Sequence, residues 1–287
     1  MAVYEHGYRR YQGAVTAAWQ RLLILPHYAY KDAFQSKFLV MFFALGFVPP
    51  LVGSVLIYLH DNLDAMKILE IDLDKLFTIG PAFFGTFLEI QTQFFAFFLT
   101  MFIGPGLISR DLANNGLALY FSRPLSRTEY VIGKLLVLVI LLSLVTWVPC
   151  LGLFFMQANL EGWSWMVSNL RIAVGIFIGS WVWILLISLL GLALSALVRW
   201  RAVAGLGMLM VFMVGGLFGL MFKEFFKTDW GYIFNLGQLT KIVFAQLLGT
   251  ELPEGPPPFA AWVAIVSFMA FCVFVLDRKL RAYEVVT

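Results

Sequence analysis

Residues 172–198 read IAVGIFIGSWVWILLISLLGLALSALV and contain no charged side chain. A helix of roughly 20 apolar residues crosses a bilayer core of about 30 Å, because its backbone amide groups are satisfied within the segment itself. A second apolar run follows at residues 202–222, after only Arg199, Trp200 and Arg201. So short a link permits only a tight turn. The two runs are therefore predicted to form a hairpin of two membrane-spanning helices.

The whole chain is likewise rich in apolar residues and poor in charged ones. Of 287 residues, 61% are hydrophobic and 13% are charged, and the mean hydropathy is +0.86. A globular protein has about 45–50% apolar and about 25% charged residues. This composition predicts an integral membrane protein and excludes a secreted disulfide scaffold, a nucleic-acid-binding protein and an ordinary cytosolic enzyme. Cys150 and Cys272 lie in apolar runs without the spacing of metal ligands, so no metal site is predicted.

Six apolar runs are long enough to span a bilayer. They cover residues 38–59, 82–108, 131–157, 172–198, 202–222 and 259–277. The predicted fold is an all-α membrane protein with a six-helix transmembrane domain over residues 38–277. An N-terminal segment, residues 1–37, precedes this domain, and a short tail, residues 278–287, follows it.

The basic residues are distributed unevenly between the two sides of the predicted bundle. The N-terminal segment, the connection between spans two and three, the turn between spans four and five, and the C-terminal tail together contain most of the 20 lysines and arginines. In membrane proteins the cytoplasmic loops carry this excess. Both termini are therefore predicted to lie in the cytoplasm, which agrees with the even number of spans.

Two further segments have helical patterns without being spans. Residues 11–31 place apolar side chains at helical spacing, which predicts an amphipathic helix along the cytoplasmic membrane surface. The long outer loop, residues 223–258, contains an apolar stretch at residues 242–248 that predicts a short helix directed toward the membrane. The run Glu254-Gly-Pro-Pro-Pro258 ends any helix there.

The connection between spans two and three, residues 109–130, is the most polar segment between any two spans. Gly104-Pro105-Gly106 is predicted to break the second span, and Ser109 or Asp111 to cap a new helix. The apolar face of that short helix is predicted to consist of Leu112, Leu117, Leu119 and Tyr120 and to be available to a soluble partner. Arg123-Pro124 ends it, and Ser126 with Glu129 fits a capping box that begins the third span.

The sequence of this connection resembles that of the permease subunits of ABC-2 type ATP-binding cassette transporters. The resemblance rests on Gly-Leu-Ile-Ser-Arg-Asp-Leu-x-Asn-Asn (residues 106–115), Leu-Tyr-Phe-Ser-Arg-Pro-Leu-Ser-Arg (119–127) and Tyr-x-x-Gly-Lys (130–134). It implies a type V exporter-like fold, in which this connection forms a coupling helix that docks on a separate ATPase subunit. The residues that the resemblance assigns to coupling are Arg110, Asp111, Asn114, Asn115, Leu119, Tyr120, Ser122, Arg123, Pro124 and Arg127.

The resemblance also implies partners and a location. Two ABC ATPase subunits and a second permease copy, identical or similar, are expected to complete the complex among the lipids of a bacterial cytoplasmic (plasma) membrane. ATP and Mg²⁺ are expected in the ATPase partner. Export is the commoner direction of transport in this family.

The chain itself lacks the sequence of an ATP site. A phosphate-binding loop requires Gly-x-x-x-x-Gly-Lys-Ser/Thr, so that consecutive backbone amides and one lysine surround the phosphates. The pair Gly133-Lys134 has Thr128 at the position of the first glycine and is followed by Leu135. The chain is therefore not predicted to be an enzyme, and no cofactor is predicted to bind to it.

Three polar residues lie close together inside the second span: Glu89, Gln91 and Gln93. Charged groups at this depth are costly, so Glu89 is expected to face the bundle interior, a cavity or a hydrogen-bond donor. Two roles remain open for these residues. They either line the path of the substrate or form hydrogen bonds between helices.

Two other classes of function are alternatives to a permease subunit. A secondary transporter or channel would work without an ATPase, but such proteins concentrate ionisable groups in broken helices near the membrane centre, and this chain offers one carboxylate there. An intramembrane enzyme would need a nucleophile and a base, or metal ligands, within the spans. His6, His27 and His60 all lie outside the predicted spans.

Overall fold

The computed structural model describes residues 18–62, 78–117 and 126–281, and every regular element within these ranges is helical. The α-helices are α1 (Ala18–Ala33), α2 (Lys37–Leu45), α3 (Val48–Asp61), α4 (Pro81–Glu89), α5 (Phe97–Ala113), α6 (Arg127–Val145), α7 (Trp147–Glu161), α8 (Trp163–Ser168), α9 (Leu170–Leu197), α10 (Arg201–Phe226), α11 (Leu236–Leu248) and α12 (Pro258–Arg281). A π-helical segment, Ile90–Ala96, joins α4 to α5, and a 3₁₀ helix, Asp229–Phe234, precedes α11.

Six helical stretches of the described chain are long and apolar enough to cross a membrane. They are Lys37–Asp61, Pro81–Ala113, Arg127–Glu161, Leu170–Leu197, Arg201–Phe226 and Pro258–Arg281. They coincide with the six predicted runs and support a multi-pass, all-α membrane protein. The predicted hairpin is confirmed, because α9 ends at Leu197 and α10 begins at Arg201.

Successive spans alternate in direction, so their ends fall into two groups. We call one the basic end; it contains Lys37, Ala113, Arg127, Leu197, Arg201 and Arg281. The distal end contains Asp61, Pro81, Glu161, Leu170, Phe226 and Pro258.

Helix α9 is the central helix of the bundle. It packs against α5, α12, α11, α6, α10 and α7, and its buried side chains include Trp183, Ile184 and Ile187. Glycines allow the closest of these contacts. A Cβ atom added to Gly179 would lie 3.0 Å from Cδ1 of Phe244 in α11, and one added to Gly104 in α5 would lie 3.7 Å from the Cα atom of Gly191.

The predicted break of the second span at Gly104-Pro105-Gly106 is wrong. Helix α5 continues to Ala113, with Pro105 in its interior. The hydroxyl of Ser195 in α9 compensates for the disturbed backbone. It accepts hydrogen bonds from the amides of Ile108 (3.0 Å) and Ser109 (2.8 Å) and donates one to the carbonyl of Pro105 (2.6 Å). Ser109 therefore lies within α5 and caps no new helix.

Helix α1 confirms that the predicted N-terminal amphipathic segment is helical, from Ala18 onward; residues 11–17 lie outside the described residues. It packs along α6. Leu25 lies directly over Gly133, where a Cβ atom would approach the Leu25 Cδ1 atom to 2.6 Å. The hydroxyl of Tyr30 donates a 2.7 Å hydrogen bond to the carbonyl of Val137, and burial raises the pKa of Tyr30.

The predicted short helix of the outer loop is present as α11. It begins earlier than expected, at Leu236, because the Asn235 side chain caps it by accepting a hydrogen bond from the amide of Gln238 (3.1 Å). Arg171 donates to the carbonyls of Gln246 (2.7 Å) and Leu247 (3.1 Å) at its other end. The helix packs against α9, α12, α4 and α10, so it lies among the spans.

Candidate functional site

At the basic end, the connection between α5 and α6 is fixed by Asp111. Its Oδ2 atom accepts a 2.6 Å hydrogen bond from the hydroxyl of Tyr130 and lies 2.9 Å from Nζ of Lys134. The side chains of Lys134 and Asp111 are only 10% and 19% exposed. An ion pair with so little solvent contact holds its two helices in a fixed arrangement, because separating the pair would leave two unpaired charges in apolar surroundings. Asp111 therefore joins α5 to α6.

Two more of the predicted coupling residues connect this region to other helices. Arg110 pairs with Asp32 at the end of α1. Arg127, the first residue of α6, lies 3.7 Å from Asp277 near the end of α12. Because these pairs are largely exposed, each contributes little to stability. Their geometric effect is to connect the ends of α5 and α6 to α1 and α12.

The described part of the connection directs its apolar side chains inward. Leu112 is 5% exposed and Leu117 is 1% exposed. The expectation that these two leucines form an outward apolar face is therefore wrong: they complete the core of this chain. The remaining members of that predicted face, Leu119 and Tyr120, lie outside the described residues, as do Ser122, Arg123 and Pro124.

A turn at Asn114 and Asn115 separates α5 from the segment that follows. Both asparagines are exposed, Asn115 adopts a left-handed conformation with φ of 53°, and the backbone is helical again at Gly116 and Leu117. Asparagine tolerates this conformation better than most residues, since its short polar side chain can bond locally. The turn, rather than Ser109 or Asp111, thus marks the start of the new helix.

The predicted capping box at the start of the third span is confirmed. The Ser126 hydroxyl accepts from the amide of Glu129 (3.2 Å), and Glu129 Oε2 accepts from the amide of Ser126 (2.8 Å). These reciprocal bonds satisfy backbone donors that a helix start leaves open. The first residue of α6 is thereby fixed at Arg127.

A second polar group lies toward the distal end, where α4 meets α11. Glu89, the last residue of α4, has its Oε2 atom 3.0 Å from Nζ of Lys241. The two side chains are 38% and 39% exposed. The sequence placed Lys241 in an outer loop, whereas the structure places it in a helix packed among the spans. Each is a lone charge in an apolar helix, and this shared property could have suggested their pairing.

The neighbouring glutamines have different surroundings. Gln91 is fully buried, and its Nε2 atom donates a 2.8 Å hydrogen bond to the carbonyl of Gly46 in the first span. Gln93 is half-buried and reaches the carbonyl of Gly237 in α11 at 3.5 Å. All three polar residues of the second span therefore contact another segment: Glu89 and Gln93 contact α11 or its first turn, and Gln91 contacts span one.

Gln93 also borders a cavity of about 300 Å³ between the second and fifth spans. Most of its lining is apolar or aromatic, and it includes Phe97, Trp183, Phe212 and Met213. The indole Nε1 of Trp183 has no hydrogen-bond partner among the described residues. An apolar or aromatic molecule with few polar groups would fit this lining.

The described residues contain no group of three or more histidine, cysteine, aspartate or glutamate side chains that could hold a metal ion. No protein-family model matches the chain, and no curated protein matches it significantly.

Proposed function

We propose that this chain is the permease subunit of an ABC-2 type ATP-binding cassette transporter. The observation that carries the proposal is the connection between α5 and α6. The sequence of residues 106–134 resembles that of the family. Three side chains of this connection, Arg110, Asp111 and Arg127, also link it to α1, α6 and α12. A segment that receives force from a partner needs such links.

The geometry supports transmission of movement from this connection. The part of span two nearest the connection, helix α5, runs from Phe97 to Ala113, so displacement of the turn at Asn114 acts directly on this helix. The Asp111–Lys134 pair moves α6 with it. Packed helices respond to such displacement as rigid bodies because their cores do not deform continuously. Under this proposal the basic end faces the cytoplasm.

The complete transporter would contain two of these permease chains, or this chain and a similar one, with two ATPase subunits that bind ATP and Mg²⁺. This chain would supply the membrane path and no catalytic residue. The cavity beside Gln93 and the Glu89–Lys241 pair are the candidate elements of that path. Export from a bacterial cytoplasm is the proposed direction.

The test is a double charge reversal at the connection, Arg110→Glu with Arg123→Glu. Both residues are basic and belong to the proposed coupling set, so the variant should insert normally but lose its ATPase partner. Copurification of the ATPase and stimulation of ATP hydrolysis are the measurements. Wild-type levels of both in the double variant would contradict the proposal.

Two controls separate docking from folding. Lys227→Glu reverses a charge at the distal end, where the side chain is 78% exposed, and should change neither measurement. Asp32→Asn removes the partner of Arg110 without altering any proposed coupling residue. If Asp32→Asn alone detached the ATPase as completely as the double reversal, Arg110 would act by anchoring α1 instead of docking.

A secondary transporter or channel is the alternative, favoured by one observation, the Glu89–Lys241 ion pair within the bundle. Intramembrane ionisable pairs often mark ion or solute pathways. Solute movement by the purified chain in liposomes without any ATPase would support this alternative and overturn the permease proposal.

A further inference from the structure

Spans one, two and three are all irregular at the same depth. Span one is divided between Leu45 and Val48, span three is divided at Thr146, and span two is π-helical over Ile90–Ala96. About 22 Å of helix separates Gly46 from Asp61 and also Thr146 from Glu161, at about 1.5 Å per residue. The irregularities of spans one and three therefore lie at equal distances from the distal end.

Prolines cause the two divisions. In an α-helix the amide of residue i bonds to the carbonyl of residue i−4, and proline has no amide hydrogen. Pro50 thus withholds a donor from the carbonyl of Gly46, and Pro149 withholds one from that of Val145. At Thr146 the backbone leaves the helical region, with φ of −98° and ψ of −91°.

These irregular points touch one another. The Gln91 amide donates to the carbonyl of Gly46 that Pro50 leaves open, at 2.8 Å. A Cβ atom placed on Gly46 would lie 3.2 Å from Cγ1 of Val145 and 3.5 Å from Cδ1 of Phe95. The broken turn of span one therefore contacts both the π-helical segment of span two and the division of span three.

Beyond this level, the distal halves of the three spans, α3, α4 and α7, pack on one another. A Cβ atom on Gly53 in α3 would lie 2.9 Å from Cδ1 of Leu153 in α7 and 3.0 Å from Cζ of Phe87 in α4. The rings of Phe84 and Phe154 are 6.0 Å apart. This close packing makes the three distal halves one body, which we call the distal trio.

The trio contacts the rest of the bundle mainly through α9, α11 and the short helix α8, which joins α7 to α9. Helix α9 runs unbroken from Leu170 to Leu197 and so provides a straight support. The contact with α11 includes the half-exposed Glu89–Lys241 pair and the approach of Gly85 to Leu248, where a Cβ atom would lie 3.3 Å from Cδ1. Both contacts also contain buried apolar side chains, so the trio would slide along α9 and α11 without separating from them.

We propose that Gly46, Gln91 and Thr146 form a hinge layer, about which the distal trio moves as one body against α9 and α11. The backbone at the hinge has lost helical hydrogen bonds and bends at lower cost than a continuous helix. The Glu89–Lys241 pair is the latch that holds the trio against α11. The movement opens and closes the distal end and does not depend on an ATPase, so this inference does not rest on the proposed function.

The test is a distance measurement between spin labels by pulsed electron resonance in liposomes. One label pair reports on the trio, at Asp61→Cys and Phe259→Cys, and both positions are exposed. A reference pair at the basic end uses Lys37→Cys and Arg278→Cys. The native cysteines are buried, so labelling is selective. Dilution with unlabelled chain removes distances between protomers.

We expect two distance populations for the distal pair and one for the reference pair. A rotation of about 10° on an arm of about 22 Å would separate the distal populations by about 4 Å, with the arm length taken from the helical rise. Replacing Pro49, Pro50 and Pro149 together by alanine restores the backbone donors at both divisions and should merge the two distance populations into one. Lys241→Met should shift the populations by releasing the latch.

A single narrow distance for the distal pair, in both the wild type and Lys241→Met, would overturn the proposal. So would two populations that persist unchanged in the triple proline variant, or equal broadening of the reference pair. Should the triple proline variant fail to insert, the comparison of wild type with Lys241→Met decides the matter alone.

Discussion

The Glu89–Lys241 ion pair permits a test of how the bundle accommodates charge. We predict that Lys241→Met destabilises the protein, because it leaves the Glu89 carboxylate without its cation beside apolar helices. An ionised residue at a helix centre costs about 2.5–3.5 kcal/mol on insertion scales. Since the two side chains are 38% and 39% exposed, we discount this figure to about 1–2 kcal/mol.

A double-mutant cycle isolates the pair. Glu89→Gln with Lys241→Met removes both charges, so its destabilisation should be smaller than the sum of the single effects by about 0.5–2 kcal/mol. Thermal stability in detergent, followed by the loss of the monodisperse peak in size-exclusion chromatography, is the assay. About 2–4 °C of melting temperature per kcal/mol is expected for large domains, so Lys241→Met should lower Tm by roughly 2–8 °C.

Lys227→Met provides the matched control. Lys227 is also paired with a glutamate, Glu224, at 3.0 Å, but the two side chains are 78% and 77% exposed. Removing it should change stability by less than about 0.5 kcal/mol. Additive single effects at Glu89 and Lys241, or equal Tm values for Lys241→Met and Lys227→Met, would refute the reasoning.

Two further predictions concern helix contacts. Ser195→Ala should destabilise the protein by about 1–3 kcal/mol, because three hydrogen bonds to the backbone of α5 are lost. The control is Ser188→Ala on the same helix, which should leave Tm unchanged because its buried hydroxyl has no partner among the described residues. Equal losses of stability in the two variants would contradict this prediction. Gly133→Val should undock α1 by displacing Leu25, which limited proteolysis would detect as new cleavage before Lys37; unchanged cleavage would show that α1 is held by other contacts.

Local sequence signals predicted the spans, the tight hairpin and the capping box of Ser126 and Glu129. Each depends on residues that are close in sequence: an apolar run, a three-residue link, or a serine three positions before a glutamate. The apolar stretch of α11 also predicted its helix, although its start at Leu236, which Asn235 caps, was missed. Such features need no knowledge of distant partners.

The errors arose where a distant residue decides the local structure. Gly104-Pro105-Gly106 would end most helices, but Ser195, 86 residues from Ser109, supplies the missing polar contacts. The ion pair of Asp111 with Lys134 was not predicted, because it depends on how α5 and α6 pack. The sequence drew attention to Gln91 but did not predict its acceptor, the carbonyl of Gly46. That carbonyl is free to accept because Pro50 has no amide hydrogen to donate to it.

The contact of α1 with α6 constrains how the chain is made. Tyr30 and its acceptor Val137 are 107 residues apart, and ribosomes add about 5–20 residues per second. The nascent α1 therefore leaves the ribosome about 5–20 s before its docking surface exists. Throughout that interval α1 lacks the surface of α6 against which it packs in the folded protein.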